Sequence, residues 1–152
     1  MQKIYKIAAA HGITAVVWDY MQQAKAGDES ALQGQPLSKA EMIKWMVTVE
    51  QIERKYEHQK SVIAKLAKFF AQHGIKMMIL KGYGLSLNYP VPNHRQCSDI
   101  DIWLFREQKA EGGKVEYIGV QQDADALLRK QHNVSIDEGK HHHTVFYVDG
   151  VM

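Results

Sequence analysis

An α+β (α/β) fold, with a helical N-terminal section packed on a small mixed β-sheet, is predicted by three observations. Residues 3–73 carry helix-compatible apolar spacing over most of their length. From Ile75 onward the chain changes to short apolar runs separated by turn residues. A glycine turn at Gly82 and Gly84 is followed by an alternating acidic and apolar segment, Asp99-Ile100-Asp101-Ile102-Trp103-Leu104. The helical section is expected at 1–74 and the sheet-bearing section at 75–152, the two forming one compact unit.

The elements follow in order. Lys3 to Ala10 and Ile13 to Ala24 have helical spacing and are joined at His11-Gly12. Ala26 to Pro36 contains Gly27, Asp28, Ser30, Gly34 and Pro36 and is predicted as a loop. Ser38-Lys39-Ala40-Glu41 matches a capping box, in which the Ser38 hydroxyl serves a first-turn amide while Glu41 reaches back to the cap. Met42, Met46, Val49, Ile52 and Tyr56 then line one side of a long helix, and Ile63, Leu66 and Phe70 resume it. The polar stretch Glu57 to Ser61 between them implies either a run outside the core or a break. Gly74 caps the end. Lys76 to Leu80 is a buried strand, Leu85 to Tyr89 one or two helical turns ended by Pro90, and Val91 to Ser98 a loop. Asp99 to Leu104 is the next strand, Gln108 to Gly113 a polar excursion and Val115 to Val120 an extra strand. Asp123 to His132 is a helix, and Val134 to Ile136 and Thr144 to Val148 are short strands around a turn at Asp137 to Gly139.

Composition narrows the function classes. The 152 residues are 45% hydrophobic and 24% charged, ordinary globular values that exclude a disordered or fibrous chain. With 19 Lys and Arg against 17 Asp and Glu, the net charge of +2 gives no indication of nucleic-acid binding. No apolar run reaches the roughly 18 residues of a membrane span, and no signal peptide is recognised, so a cytoplasmic protein is expected. Cys97 is the single cysteine, which rules out an internal disulfide and agrees with a reducing compartment. No His and Asp or Asn arrangement makes it a nucleophile.

The chemistry-bearing pattern is Leu80-Lys81-Gly82-Tyr83-Gly84 followed by Asp99 and Asp101. On a strand, alternate residues share a face, so Asp99 and Asp101 would present two carboxylates together while Ile100 and Ile102 turn to the core. Adjacent carboxylates repel unless a cation lies between them, and Mg²⁺ takes one or two carboxylates and completes its shell with phosphate and water. Glycines at the end of a strand let bare backbone approach a triphosphate, and Lys81 adjoins that turn. An Asp-x-Asp or a Gly-x-Gly alone is a common structural feature; their order and strand context carry the signal. Trp18, Trp45, Phe69 and Phe70 have core spacing, whereas Trp103 shares the carboxylate face and either supports a base or covers the sheet. Of His141-His142-His143, only His141 and His143 share a strand face, and polar residues at the start of a strand account for the run better than a dedicated metal site.

Ile79-Leu80-Lys81-Gly82, Leu87-Asn88-Tyr89-Pro90, Arg95 and Ser98 to Leu104 resemble the core of the uncharacterised nucleotidyltransferase family of the DNA polymerase β-like superfamily. The resemblance is good over residues 62–104 and looser from His141 to Val151. It implies that Asp99 and Asp101 are catalytic and bind two Mg²⁺ ions (or Mn²⁺), that Lys81, Gly82, Tyr83, Gly84 and Arg95 bind the nucleotide, and that Arg95 contacts phosphate or holds its loop. The turn departs from the superfamily's Gly-Gly or Gly-Ser, and its gap to the aspartates is long. The superfamily also places a third carboxylate on a later strand. Thr144 to Val148, the Asp149-Gly150 turn and Val151 look like a hairpin about to return, so an N-terminal fragment is expected, with that carboxylate beyond Met152. Asp149 is a substitute for it only if it does not serve as the hairpin turn residue that Asp-Gly signals.

The activity implied is Mg²⁺-dependent transfer of a nucleoside monophosphate from a nucleoside triphosphate such as ATP to an unidentified hydroxyl acceptor. The alternatives are a non-catalytic nucleotide-binding or regulatory partner on the same fold, docking a protein through its helical section, and a helical adaptor whose aspartates only solvate a strand edge.

Overall fold

The computed structural model describes residues 2–27, 37–131, 134–137 and 143–148. These form an α+β fold of helices α1 (Gln2–Ala10), α2 (Thr14–Gly27), α3 (Lys39–Gln72), α4 (Tyr83–Ser86) and α5 (Gln121–Leu128) with strands β1 (Lys76–Ile79), β2 (Ile102–Lys109), β3 (Val115–Gly119), β4 (Val134–Asp137) and β5 (Val145–Val148). The chain divides into two compact units, Met1–His58 with Ser86–Cys97, and Gln59–Leu85 with Ser98–Met152. The predicted turn residues Glu138 and Gly139, the residues His141 and His142, the 28–36 loop and the Asp149-Gly150 turn lie outside the described residues.

The first unit is built on aromatic packing. Ala8 of α1, Met21 of α2 and Trp45 of α3 are buried together, with Tyr5, Trp18 and Leu37 against them. The Tyr5 ring meets Trp45 edge-on at 5.1 Å, and Trp18 stacks on Trp45 at 6.1 Å, arrangements that add to the area each ring buries. The Thr48 hydroxyl donates to Lys44 O at 2.9 Å, which leaves Tyr5 Oη to donate to Thr48 Oγ1 at 2.8 Å. Ser86, fully buried, meets Tyr56 Oη at 3.1 Å and so fastens the 86–97 segment to α3.

The helix α3 starts where the capping box requires it. Glu41 N donates to Ser38 Oγ at 3.2 Å, and Ser38 N donates to Glu41 Oε2 at 3.0 Å. The Ser38 amide bond to the carboxylate first, and then the Ser38 hydroxyl, which donates to Glu41 Oε2 at 2.9 Å, hold the Glu41 carboxyl below its ordinary range. The helix then runs 34 residues without a break. Gln59, only 1% exposed, falls in phase with Tyr56 and Ile63 and carries the buried stripe across the polar stretch where a break was one expectation. Among the described residues no buried side-chain nitrogen or oxygen lacks a hydrogen-bond partner, so this buried amide is tolerated. The helix ends in a Schellman motif: Ile75 N donates to Phe70 O and Gly74 N to Ala71 O, with Gly74 at φ +67°. Its apolar contact is Ile75 on Phe70, both in the core. Among the described residues no helix is long and apolar enough to cross a membrane.

The second unit surrounds an apolar core of Val62, Leu66, Phe70, Ile75, Ala124, Leu128 and Val148. The sheet order is β1-β2-β3, and β4 pairs with β5. All of these pairings are antiparallel, where a mixed sheet was expected. Ile102 and Leu104 of β2 pack on the core, which turns Trp103 and Phe105 to the other face of the sheet. There Trp103 stacks on Phe105 at 4.6 Å, and Tyr117 meets Phe105 edge-on. The acidic strand begins later than its alternation predicts: β2 starts at Ile102, and Asp99, Ile100 and Asp101 lead into it as extended chain. The reason is the length of the partner, since β1 ends at Ile79 and the chain then turns away. The helix expected at Asp123 to His132 starts two residues earlier and ends at Leu128.

The two ends of this account differ in energy. Phe70→Ala should lower unfolding free energy by about 3–5 kcal/mol, a core cavity, whereas Ser38→Ala should cost about 1 kcal/mol, a lost cap. Urea denaturation of both variants checks the ranking.

Candidate functional site

The turn after β1 and the segment before β2 come together because the ladder extends one bond past the strands. Leu80 N donates to Asp101 O at 2.9 Å. The chain then reverses through Lys81 to Gly84, closed by Gly84 N to Lys81 O at 3.0 Å. Gly82 is buried at φ +55°, and a Cβ there would lie 3.1 Å from Asp99 O. A Cβ on Gly84 would lie 3.1 Å from Ile79 O. Both glycines therefore let the turn close on its own strand and on the acidic segment. Tyr83 is 8% exposed and packs inward at the start of α4.

Lys81, Asp99 and Asp101 share one wall of a cavity of about 430 Å³. Its floor is apolar, with Val62 and Leu66 of α3, Ile100, Ile102 and Phe146; His143 and Thr144 complete its lining. Lys81 Nζ is 3.3 Å from Asp101 Oδ1, with the lysine side chain 78% exposed and the aspartate 29%. An ion pair that open to water is worth 0–1 kcal/mol, so either partner is readily exchanged for a ligand. The Ser98 hydroxyl donates to Asp99 Oδ1 at 3.2 Å. Thr144 is fixed from α5: it receives a hydrogen bond from Gln121 Nε2 and donates to Asp125 Oδ2, each at 2.7 Å. That pair of bonds sets the start of β5 and with it the position of the exposed His143.

The site residues predicted from sequence thus separate into two groups. Lys81, Gly82, Tyr83, Gly84, Asp99 and Asp101 all belong to the second unit. Arg95 belongs to the first, where its guanidinium donates to Cys97 Sγ at 3.1 Å and lies over the Tyr89 ring at 5.8 Å. Trp103 leans along the sheet toward Phe105, its Nε1 only 3.4 Å from where a Cβ on Gly119 would sit. Among the described residues no three His, Cys, Asp or Glu side chains gather as a self-sufficient metal cage. Two carboxylates on an open cavity are a donor set suited to Mg²⁺, which keeps water and phosphate in its shell.

Residues 1–152 match the uncharacterised nucleotidyltransferase family. The chain belongs to that family. No curated protein and no solved structure matches it. The name of the family carries nucleotidyl transfer, and with it a nucleotide as substrate.

The sequence pattern points to Lys81, Asp99 and Asp101, which line this cavity, but not to the β5 end of its lining. Thr144 gave no signal, because its partners Gln121 and Asp125 are recognisable only once α5 and β5 are placed. His143 was marked, as one of three consecutive histidines.

Gly82→Ala tests how closely the turn must approach. A left-handed alanine costs about 1–2 kcal/mol, and the new Cβ presses on Asp99 O, so thermal unfolding should fall by several degrees. Gly112→Ala, at φ +78° with nothing within 4 Å of the new Cβ, is the control that pays the backbone strain alone and should be milder.

Proposed function

We propose that the protein transfers a nucleoside monophosphate from a nucleoside triphosphate to a hydroxyl acceptor, with the cation held by Asp99 and Asp101. The observation that carries this is the shared wall: two carboxylates and one lysine, brought together by a strand end and a glycine turn, on a cavity large enough for part of a nucleotide. Mg²⁺ bound there would offset the triphosphate charge and stabilise the oxygens that attack and leave. Asp99 and Asp101 are ready to hold it because their side chains are partly exposed and need no rearrangement of the core. Lys81, loosely paired with Asp101, is free to turn its ammonium to a phosphate once a cation takes its place. The apolar floor of Val62, Leu66, Ile100 and Ile102 suits the uncharged part of the bound molecule. In the reaction the acceptor oxygen bonds to the α-phosphorus as the bond from that phosphorus to the bridging oxygen breaks. Pyrophosphate leaves, and the acceptor proton passes to solvent or to a base on the cavity wall.

Thermal unfolding with ATP, CTP, GTP and UTP, each with and without Mg²⁺, tests the proposal. At ~100 times its dissociation constant a nucleotide should stabilise the fold by about 2.7 kcal/mol. Asp99→Asn and Asp101→Asn should each remove the Mg²⁺-dependent part of that shift, and Lys81→Ala should weaken it in part. A shift that survives both aspartate substitutions would refute the assignment of the cation site.

A further inference from the structure

His94 ends the short Pro92–His94 turn and is 9% exposed, within the unit formed by residues 1–58 and 86–97. Its Nδ1 lies 2.7 Å from Asp19 Oδ2 on α2, and its Nε2 lies 2.9 Å from Glu53 Oε1 on α3. An ionised carboxylate only accepts hydrogen bonds. A neutral imidazole has a single N–H, so it would serve one carboxylate and turn a lone pair on the other. The imidazolium has a donor for each.

We propose that His94 is a protonation-operated clasp: charged, it bonds the 92–97 segment to both α2 and α3, and on losing its proton it gives up one of those two bonds. The turn's own bonds, His94 N to Val91 O and Arg95 N to Pro92 O, are local and reach neither helix. The Glu53 side chain is 40% exposed and the Asp19 side chain 25%, so water replaces the donor to Glu53 at lower cost, and the bond to α3 is the one given up, while Ser86 keeps the start of the segment on α3. The charged groups facing the ring are Asp19 from α2 and Glu53 from α3, while the neighbouring Arg95 directs its guanidinium to Cys97 and Tyr89. The segment so fastened carries Arg95 and runs on in sequence to Asp99.

The balance of forces has the sign that a clasp needs. Burial pulls the His94 pKa down, but the hydrogen bonds to Glu53 and Asp19, together with the charges of both carboxylates, outweigh it, and the net displacement is upward from the ordinary 6.5. A folded pKa above the unfolded one means that the clasp contributes fully below about pH 6.5 and fades as pH rises through the folded value.

The experiment is a pH titration of the full chain by histidine ¹⁵N NMR, joined to thermal unfolding of wild type and His94→Gln. Neither measurement involves nucleotide, so its outcome is independent of the transferase reaction. Both ring nitrogens of His94 should remain protonated at a pH where an exposed histidine is neutral. The advantage in unfolding temperature of wild type over His94→Gln should be full below about pH 6.5 and shrink as the pH rises through the folded midpoint. Asp19→Asn, which replaces the charge and keeps the shape, should bring the His94 midpoint down, and it serves as the test if His94→Gln does not fold. A His94 already neutral at its ordinary midpoint, or a midpoint unmoved by Asp19→Asn, overturns the proposal.

Discussion

The hydrogen bond from the Leu80 amide to the Asp101 carbonyl, one step beyond the paired strands, is the constraint on which the site depends. It carries the antiparallel register of β1 and β2 past Ile79 and Ile102 and so brings the Lys81 turn beside the acidic segment. Gly82 completes the approach, because a Cβ at that φ would be strained and would crowd Asp99 O at 3.1 Å. Lys81 reaches Asp101 as a result, and the two carboxylates open on the cavity rather than on a ladder of strand bonds.

Two kinds of electrostatic contact serve two purposes in this chain. Lys81 with Asp101 is exposed and therefore weak, which suits a position where a phosphate and a cation are to replace the partners. The His94 ring between Asp19 and Glu53 is itself largely screened from solvent, which makes its protonation state matter to how the helical unit is held. Around them the rings of Tyr5, Trp18 and Trp45 gather in the first unit, and Phe70 sits among aliphatic side chains of α3, α5 and β5 in the second.

The sequence was most legible where structure is local. The Ser38 and Glu41 capping box, the Gly74 stop, the joint at His11-Gly12 and the runs that became β1, β3, β4 and β5 are all written within a few residues of where they act. The Leu80 to Gly84 turn and the acidic pair were legible for the same reason. Errors arose where a distant partner decides. The alternation from Asp99 to Leu104 suggested a strand throughout, but a strand needs a neighbour, and β1 is too short to supply one before Ile102. Gln59 looked like a gap in the apolar stripe, although its position in the helical period already placed it on the buried side. His94 gave no sign at all, since its two carboxylates lie 75 and 41 residues away.

The central claim is that Asp99 and Asp101 together hold a divalent cation in the presence of a nucleoside triphosphate. Electron paramagnetic resonance of Mn²⁺, titrated into the full chain with a non-hydrolysable ATP analogue, reads that binding directly. The expected result is protein-bound Mn²⁺ in excess of that held by the analogue alone, lost in both Asp99→Asn and Asp101→Asn. Bound Mn²⁺ that is indifferent to both substitutions, or no Mn²⁺ beyond that on the free analogue, would contradict it.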